Sequence, residues 1–240
     1  MYVYGKNVLK ELLNSNKTIY KAYLQENLKD SNIADMLNKK NVKTFYLSKN
    51  NLDKITKENH QGVILEIDDY KYYTLNDVLN NRSSNPFIVI LDHVEDPHNF
   101  GAIIRTCEAA KVDFIIIPKN RSASVNATVM KTSAGALTNV KIAMVTNLNN
   151  TIKKLKDSGY WIIGTDMDTN VSYDELDYDM PVCLIIGSEG FGMSKLVKDN
   201  CDFIVSIPMY GKVNSLNASV ASAIVIYEVL EKRKKVSCEK

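Results

Sequence analysis

Three polar stretches stand at the ends of apolar runs, and each carries groups able to bind or orient a ligand. After "FIVILD" comes "HVEDPHNFGAIIRT", with Asn99, Gly101 and Arg105 entering a helical pattern. After "VCLIIG" comes "SEGFGMS", where one carboxylate, Glu189, sits among Gly187, Gly190 and Gly192. After "FIVSIP" comes "MYGKVNSLNAS", with Ser215 and Asn217 ahead of the last helical pattern. Glycine permits positive φ and lets a ligand approach the backbone closely. Open α/β sheets bind ligands beyond the carboxyl ends of their strands. An acid in a glycine-rich turn at the end of a core strand therefore marks a site, and the three turns point to a shared one.

Common cofactor and nucleophile motifs do not account for it. A dinucleotide fingerprint requires G-x-G-x-x-G after the first strand; Gly187, Gly190 and Gly192 give G-x-x-G-x-G late in the pattern. A phosphate loop requires G-x-x-x-x-G-K-[ST], but Gly211-Lys212 is followed by Val213 and preceded by Ser206 at the first glycine position. No G-x-S-x-G is present, so Ser188 and Ser215 do not read as hydrolase nucleophiles. His93 and His98 flank Glu95 and Asp96, yet no third ligand follows, and no metal site is assigned. Asn217 fits equally the N-cap of the last helix, a position asparagine favours.

The elements that must position these groups alternate in type. Beyond Pro86, short Ile- and Val-rich runs recur as "FIVILD", "FIIIP", "KIAMV", "YWIIGTD", "VCLIIG" and "FIVSIP". Such runs suit parallel strands buried on both faces. Helical patterns separate most of them: "NFGAIIRTCEAA", "ASVNATVMKTSAGAL", "NLNNTIKKLKDS" and "LNASVASAIVIYEVLEKRKK". The alternation predicts an α/β fold with a doubly wound parallel sheet. The first 70 residues predict a small α/β domain: a helix over Lys6–Leu13, the strand "TIYKAYL", a helix in "LKDSNIADMLNKK", the strand "VKTFYL", a short helix near Ser48–Thr56, and the strand "GVILEI". "TLNDVLNN" reads as a connecting helix and "NNRSSNP" as a boundary. The expected domains are 1–70, a linker over 71–85, and 86–240.

Composition narrows the class without choosing a function. The 240 residues are 45% hydrophobic and 24% charged, with a net charge of +2, as in ordinary globular chains. The first 85 residues hold 13 Lys+Arg against 10 Asp+Glu, so the basic excess lies entirely there. No apolar run approaches a membrane span, and "MYVYGKNVLKELL" lacks signal-peptide layout. Cys107, Cys183, Cys201 and Cys238 form no C-x-x-C pair and suit reduced thiols in a cytoplasmic protein.

Taken together, "LDHVEDPHNFGAIIRTCEAA", "LIIGSEGFGMS" and "IPMYGKVNSLNASVASAI" resemble the three signature motifs of the SpoU (TrmH-like) class of SPOUT RNA 2′-O-methyltransferases. The resemblance covers Pro86 to about Lys232. It implies a C-terminal SPOUT domain with a trefoil knot, an exception to the rule that chains avoid knots. The N-terminal segment is similar to that class's RNA substrate-binding domain, whose fold is like certain ribosomal proteins. Its "HQGV", His60 to Val63, is as in relatives that methylate a guanosine of the 23S rRNA peptidyl-transferase region. The resemblance leaves a tRNA ribose methyltransferase, or an inactive RNA-binding assembly factor, as alternatives.

The same resemblance implies S-adenosyl-L-methionine as cofactor. It is held by Gly187, Ile207 and Leu216, with Thr165, Gly190, Met209 and Gly211 as neighbours, and Gly187 and Gly190 let the backbone approach it. Arg105 is the leading catalytic residue, Glu189 orients Asn99 or Arg105, and Ser215 and Asn217 shape the final turn. A guanidinium keeps its proton above pH ~12, so Arg105 suits a phosphate anchor and alkoxide stabiliser better than a base. In the N-terminal domain Lys39, Lys40 and Lys43 read either as a solvated helix end, where lysines suit the dipole, or as groups that meet RNA phosphates, with Tyr46 and His60 as stacking groups. The "EKRKK" tail reads as a solvated helix end. The resemblance also implies a homodimer joined through the knotted domain. Val220, Ala223, Ile224, Ile226, Tyr227 and Leu230 of the last helix and Ala102, Ala109 and Ala110 offer the seam.

Overall fold

The two alternating patterns become two separate sheets in the computed structural model, which describes residues 1–15, 17–28, 31–81 and 83–238. Lys29, Asp30 and Arg82, which fall in stretches read above, lie outside the described residues, as do the side chains of Lys235 and Cys238. The chain packs as two units: Met1–Lys71 with Ser124–Asn139, and Tyr72–Ala123 with the chain from Val140 onward.

In the first unit β1 (Tyr2–Tyr4), β2 (Ile19–Gln25), β3 (Lys43–Leu47) and β4 (Val63–Ile67) form a sheet of order β1-β4-β2-β3. β4 runs antiparallel to β1 and β2, while β2 and β3 are parallel. Helices α1 (Lys6–Asn14), α2 (Ser31–Lys39) and α3 (Lys49–Ile55) connect them. α1 buries Val8, Leu9, Leu12 and Leu13, the stripe its period required.

The segment 124–139 belongs to this unit. It forms α6 (Ala127–Thr132) and a 3₁₀ turn at Ala136–Thr138 where one helix over "ASVNATVMKTSAGAL" was expected. The break falls at Ala134 and Gly135, with φ of 49° and 90°. A Cβ on Gly135 would lie 2.1 Å from Glu11 Cγ, so the turn needs glycine both for its φ and for space. Lys131 Nζ donates to the Asn59 carbonyl at 2.9 Å, tying the segment down.

His60 corrects one expectation. It is 5% exposed; Nδ1 accepts the Gly62 N–H at 2.9 Å, and Nε2 donates to Asp53 Oδ1 at 2.9 Å. The ring braces the turn into β4 and is not a stacking surface. Lys39, Lys40, Lys43 and Tyr46 are exposed.

In the second unit β5 (Phe87–Asp92), β6 (Phe114–Pro118), β7 (Ile142–Val145), β8 (Trp161–Thr165), β9 (Val182–Gly187) and β10 (Phe203–Val205) form one sheet of order β10-β8-β9-β5-β6-β7. Every neighbouring pair is parallel, so all carboxyl ends share an edge. All six residues of β5 and the first five of β9 are buried, as continuous apolar runs demand. The unit's helices are α4 (Leu75–Leu79), α5 (Pro97–Ala109), α7 (Leu148–Asp157), α8 (Lys195–Lys198) and α9 (Ala218–Cys238); α5 packs on α9.

Arg233, near the end of α9, is no solvated tail residue. Its guanidinium donates to the carbonyls of Tyr178 (3.1 Å), Asn85 (2.9 Å), Pro86 (3.3 Å) and Met180 (2.7 Å) and lies 5.3 Å from the Phe87 ring centroid. It joins α9 to the chain entering β5 and to the chain entering β9. Burial lowers its pKa, the cost of desolvating the cation.

Candidate active site

The site is assembled where β5, β9 and the chain after β10 end. At the end of β5 the buried Asp92 accepts His93 Nδ1 at 2.5 Å and the Ser194 N–H at 2.8 Å, which ties this strand end to the loop after β9. Four residues on, Asp96 caps α5, accepting from the His98 and Asn99 N–H groups with Pro97 at the first helical position. This cap fixes Asn99, which is 8% exposed.

After β9 the chain makes a closed three-residue hairpin. The Ser188 N–H donates to the Gly192 carbonyl at 3.0 Å and the Gly192 N–H to the Ser188 carbonyl at 2.9 Å. Gly190 and Gly192 adopt φ of 83° and 65°, which the turn geometry requires and other residues resist. Gly187 serves a different need. A Cβ there would lie 2.3 Å from Gly192 C and 2.4 Å from Met193 N. Its close approach is to the returning strand of its own loop, not only to a ligand. The tight loop leaves Glu189 exposed at its tip and Phe191 94% exposed.

Asn217 caps α9 and does more. Its Oδ1 accepts the Ser219 N–H at 2.9 Å, while its Nδ2 donates to Asn99 Oδ1 at 3.0 Å and, more weakly, to Glu189 Oε1 at 3.5 Å. Asn99 Nδ2 donates in turn to Glu189 Oε2 at 3.1 Å. Three residues up to 118 positions apart thus form one donor-to-acceptor cluster, and Asn217 is at once the cap of α9 and a member of it. Glu189 contacts Asn99, not Arg105.

Two cavities adjoin at the hairpin; Ser188, Glu189, Phe191, Gly192 and Ala218 line both. The smaller, of about 350 Å³, is lined by Thr165, Gly187, Gly190, Ile207, Met209 and Leu216, with Ser215 also on its wall. Gly211 is not among its lining residues and is exposed. The larger, of about 620 Å³, is reached by Asn99 and by His93, Glu95 and Arg121.

Arg105 stands apart from both. Six residues beyond Asn99, it lies about 120° away around α5. It is exposed, pairs with no described residue, and lines neither cavity. It shares the outward stripe of α5 with Ala102, Thr106 and Ala109. On α9, Val220 and Tyr227 are 48% and 42% exposed with Ile224 half-buried between them, whereas Ile226 belongs to the core.

Sequence reading missed Asp92, Arg121 and Phe191, and weighed Asp96 only beside His93 and His98, not as the cap of α5. The Asp96-Pro97 pair was a legible helix-start signal; the positive φ of Arg121 (52°) and His93 (62°) was not. Among the described residues no group of three or more His, Cys, Asp or Glu is placed to hold a metal. Burial pushes the Cys107 and Cys183 thiols up and Cys201 to about 12, which leaves them poor nucleophiles.

Comparison with known proteins gives two family matches. Residues 86–227 match the SpoU rRNA Methylase family, and residues 2–73 match the domain described as RNA 2′-O ribose methyltransferase substrate binding. YacO of Bacillus subtilis (strain 168), named for the TrmH family of tRNA/rRNA methyltransferases, is 40% identical over 98% of this chain and 97% of its own. A Staphylococcus haemolyticus (strain JCSC1435) protein named for the same family is 44% identical over 98% and 96%. Among solved structures, the SpoU methyltransferase AviRb of Streptomyces viridochromogenes in complex with AdoMet superposes with a TM-score of 0.84. It covers 98% of this chain and 90% of its own at 22% identity, a likeness of fold. The A. aeolicus TrmH/SpoU tRNA modifying enzyme is 31% identical over 68% of this chain and 82% of its own, with a TM-score of 0.58.

Proposed function

The chain belongs to the SpoU rRNA methylase family, and from that premise we propose that it moves a methyl group from S-adenosylmethionine to a ribose 2′-hydroxyl of RNA, at a guanosine of 23S rRNA. The observation that carries this reading is the pair of cavities meeting at one hairpin, with the Asn99–Glu189–Asn217 cluster at their junction.

The smaller cavity fits the cofactor. Its walls are glycine backbone and the apolar side chains Ile207, Met209 and Leu216, and nothing lies within 4 Å of a Cβ placed on Gly190. S-adenosylmethionine, when bound, supplies an electrophilic methyl group on a sulfonium. Thr165, Gly187, Gly190, Ile207, Met209 and Leu216 would hold it, with Ser215 beside it.

The chain's own task is orientation and charge stabilisation. Glu189, held through both oxygens by amide donors, keeps acceptor capacity to orient the 2′-hydroxyl. Asn99 and Asn217 fix that carboxylate. Arg105 anchors an RNA phosphate and stabilises the developing alkoxide. Its place on the outward stripe of α5, beside α9, favours a homodimer through these helices that brings Arg105 to a shared site. The knot of the family is proposed for the C-terminal segment, and RNA contact for Lys39, Lys40, Lys43 and Tyr46. No helix among the described residues is long and apolar enough to cross a membrane, in keeping with a cytoplasmic enzyme. The likeness to a tRNA modifying enzyme keeps tRNA as the second reading. The intact cluster argues against an inactive assembly factor.

Mapping 2′-O-methylated positions in rRNA and tRNA from cells with and without this protein tests the reading. One guanosine of 23S rRNA losing its methyl group is the expected result; loss confined to tRNA selects the second reading, and no change rejects both.

A further inference from the structure

The larger cavity contains two charges that the fold leaves unsatisfied. Glu95 is exposed and makes no hydrogen bond or ion pair with a described residue; Arg121, of opposite sign, likewise has none, and the two do not pair with each other. The other acids on this wall are engaged: Asp96 caps α5, and Glu189 is held by Asn99 and Asn217. Arg121 and His93 both hold positive φ, a conformation few non-glycine residues adopt and one enriched at ligand sites. Phe191, 94% exposed at the hairpin tip, offers an aromatic face at the same wall.

A bare phosphate would suit Arg121 but be repelled by Glu95. A nucleotide satisfies every group: its phosphate meets a guanidinium, its base lies against an aromatic ring, and its base edge offers N–H donors to a carboxylate. An ionised carboxylate only accepts, and its two oxygens match two adjacent donors. Among the four RNA bases guanine presents such a pair, the N1–H and the 2-amino group; adenine, cytosine and uracil each present one donor position on that edge.

We infer that the larger cavity receives the target nucleotide out of its stack and that Glu95 selects guanine by accepting from N1–H and the 2-amino group, with Arg121 on the phosphate. Glu95 is thus a specificity residue for the acceptor. The inference rests on the methyl-transfer reading above, which already names guanosine, and adds to it the residue that reads the base.

The test uses the full-length protein, S-adenosylmethionine, and a 23S rRNA fragment spanning the mapped nucleotide, prepared with guanosine or inosine there. Inosine keeps N1–H and lacks the 2-amino group. Wild-type protein should lose about two- to ten-fold in kcat/KM on inosine, as for one half of a good bidentate base contact. Glu95→Gln places an amide donor against the 2-amino donor. It should lose a similar factor on guanosine and treat inosine as well as or better than guanosine, with cofactor affinity unchanged. A Glu95→Gln enzyme that keeps the wild-type guanosine-to-inosine ratio overturns the inference, as does a wild-type target that is not guanosine. Absence of methyl transfer to any RNA by the wild-type protein instead rejects the function on which it rests.

Discussion

The two ends of α9 treat polar groups in opposite ways. Near its C-terminal end Arg233 is surrounded by four carbonyls and an aromatic ring, so its donors are matched within the chain. At its N-terminal end Asn217, Asn99 and Glu189 hold one another, yet Glu95 and Arg121 on the adjoining cavity, and Arg105 on the outward stripe of α5, engage no described residue. The first arrangement is what a half-buried cation needs to offset its desolvation penalty. The second retains capacity for a ligand that brings its own donors and anions. Saturation marks the groups that hold the fold, and unsatisfied valence marks those that serve chemistry.

Arg105→Ala tests this most severely. Methyl transfer to rRNA should fall by about three orders of magnitude, the scale of losing a preorganised charge-stabilising donor. Melting temperature and calorimetric affinity for S-adenosylmethionine should stay put, because the side chain supports neither the fold nor the smaller cavity. Turnover at the wild-type rate would place Arg105 among ordinary surface residues and break the comparison on its functional side.

Arg233→Met is the converse. The apolar stem is retained while four carbonyls lose a charged donor, so urea unfolding should show a loss of about 3 kcal/mol, from charge-assisted bonds worth ~1.5–3 kcal/mol each and partly replaced by water. At a temperature where the variant is folded, kcat/KM should match wild type. A stable variant with impaired transfer would reverse the assignment.

Asn217→Ser separates two jobs held by one residue. Serine preserves the cap, and stability should change by less than about 0.5 kcal/mol. It removes the amide that orients Asn99, and single-turnover transfer should slow by about a hundred-fold. Equal rates would show that Asn217 is a cap alone.

The smallest effect is a pH dependence of stability. Burial raises Cys201 and Tyr160 to about 12 and pushes Cys107, Cys183 and Tyr178 up as well. Groups whose folded pKa is raised stabilise the fold fully below their unfolded value, and that stability is lost as pH rises toward the folded value. Melting temperature should therefore be unaffected by these groups below the ordinary thiol value of 9.0 and decline progressively above it. A rise in melting temperature above that value would contradict the assignment.

How much of this was legible depends on the range of the forces involved. The strands of the second sheet could be read because burial on both faces forces continuous apolar runs, as in Val89–Leu91 and Leu184–Ile186. β1 and α8 could not, because three or four residues carry no period. The helix expected over 123–137 stops where Gly135 meets Glu11, a neighbour over a hundred residues away in sequence. Glu189 was singled out by its glycines, and Asn99 and Asn217 by their turns. That Glu189 would join Asn99 across 90 residues came from family resemblance, because no local pattern encodes it. Arg233 was misread as solvated, and His60 as a stacking group, because each is defined by partners in three dimensions: distant carbonyls for Arg233, a folded-back turn for His60.

The central claim is that the two cavities at one hairpin perform S-adenosylmethionine-dependent methylation of a ribose. The direct measurement incubates the purified protein with methyl-labelled S-adenosylmethionine and rRNA from cells lacking it, then digests the RNA with alkali. A 2′-O-methyl group blocks cleavage at its own phosphodiester. The account predicts label in an alkali-resistant dinucleotide whose methylated residue is guanosine. Label released in mononucleotides, the mark of base methylation, or no label in RNA at all, would contradict it.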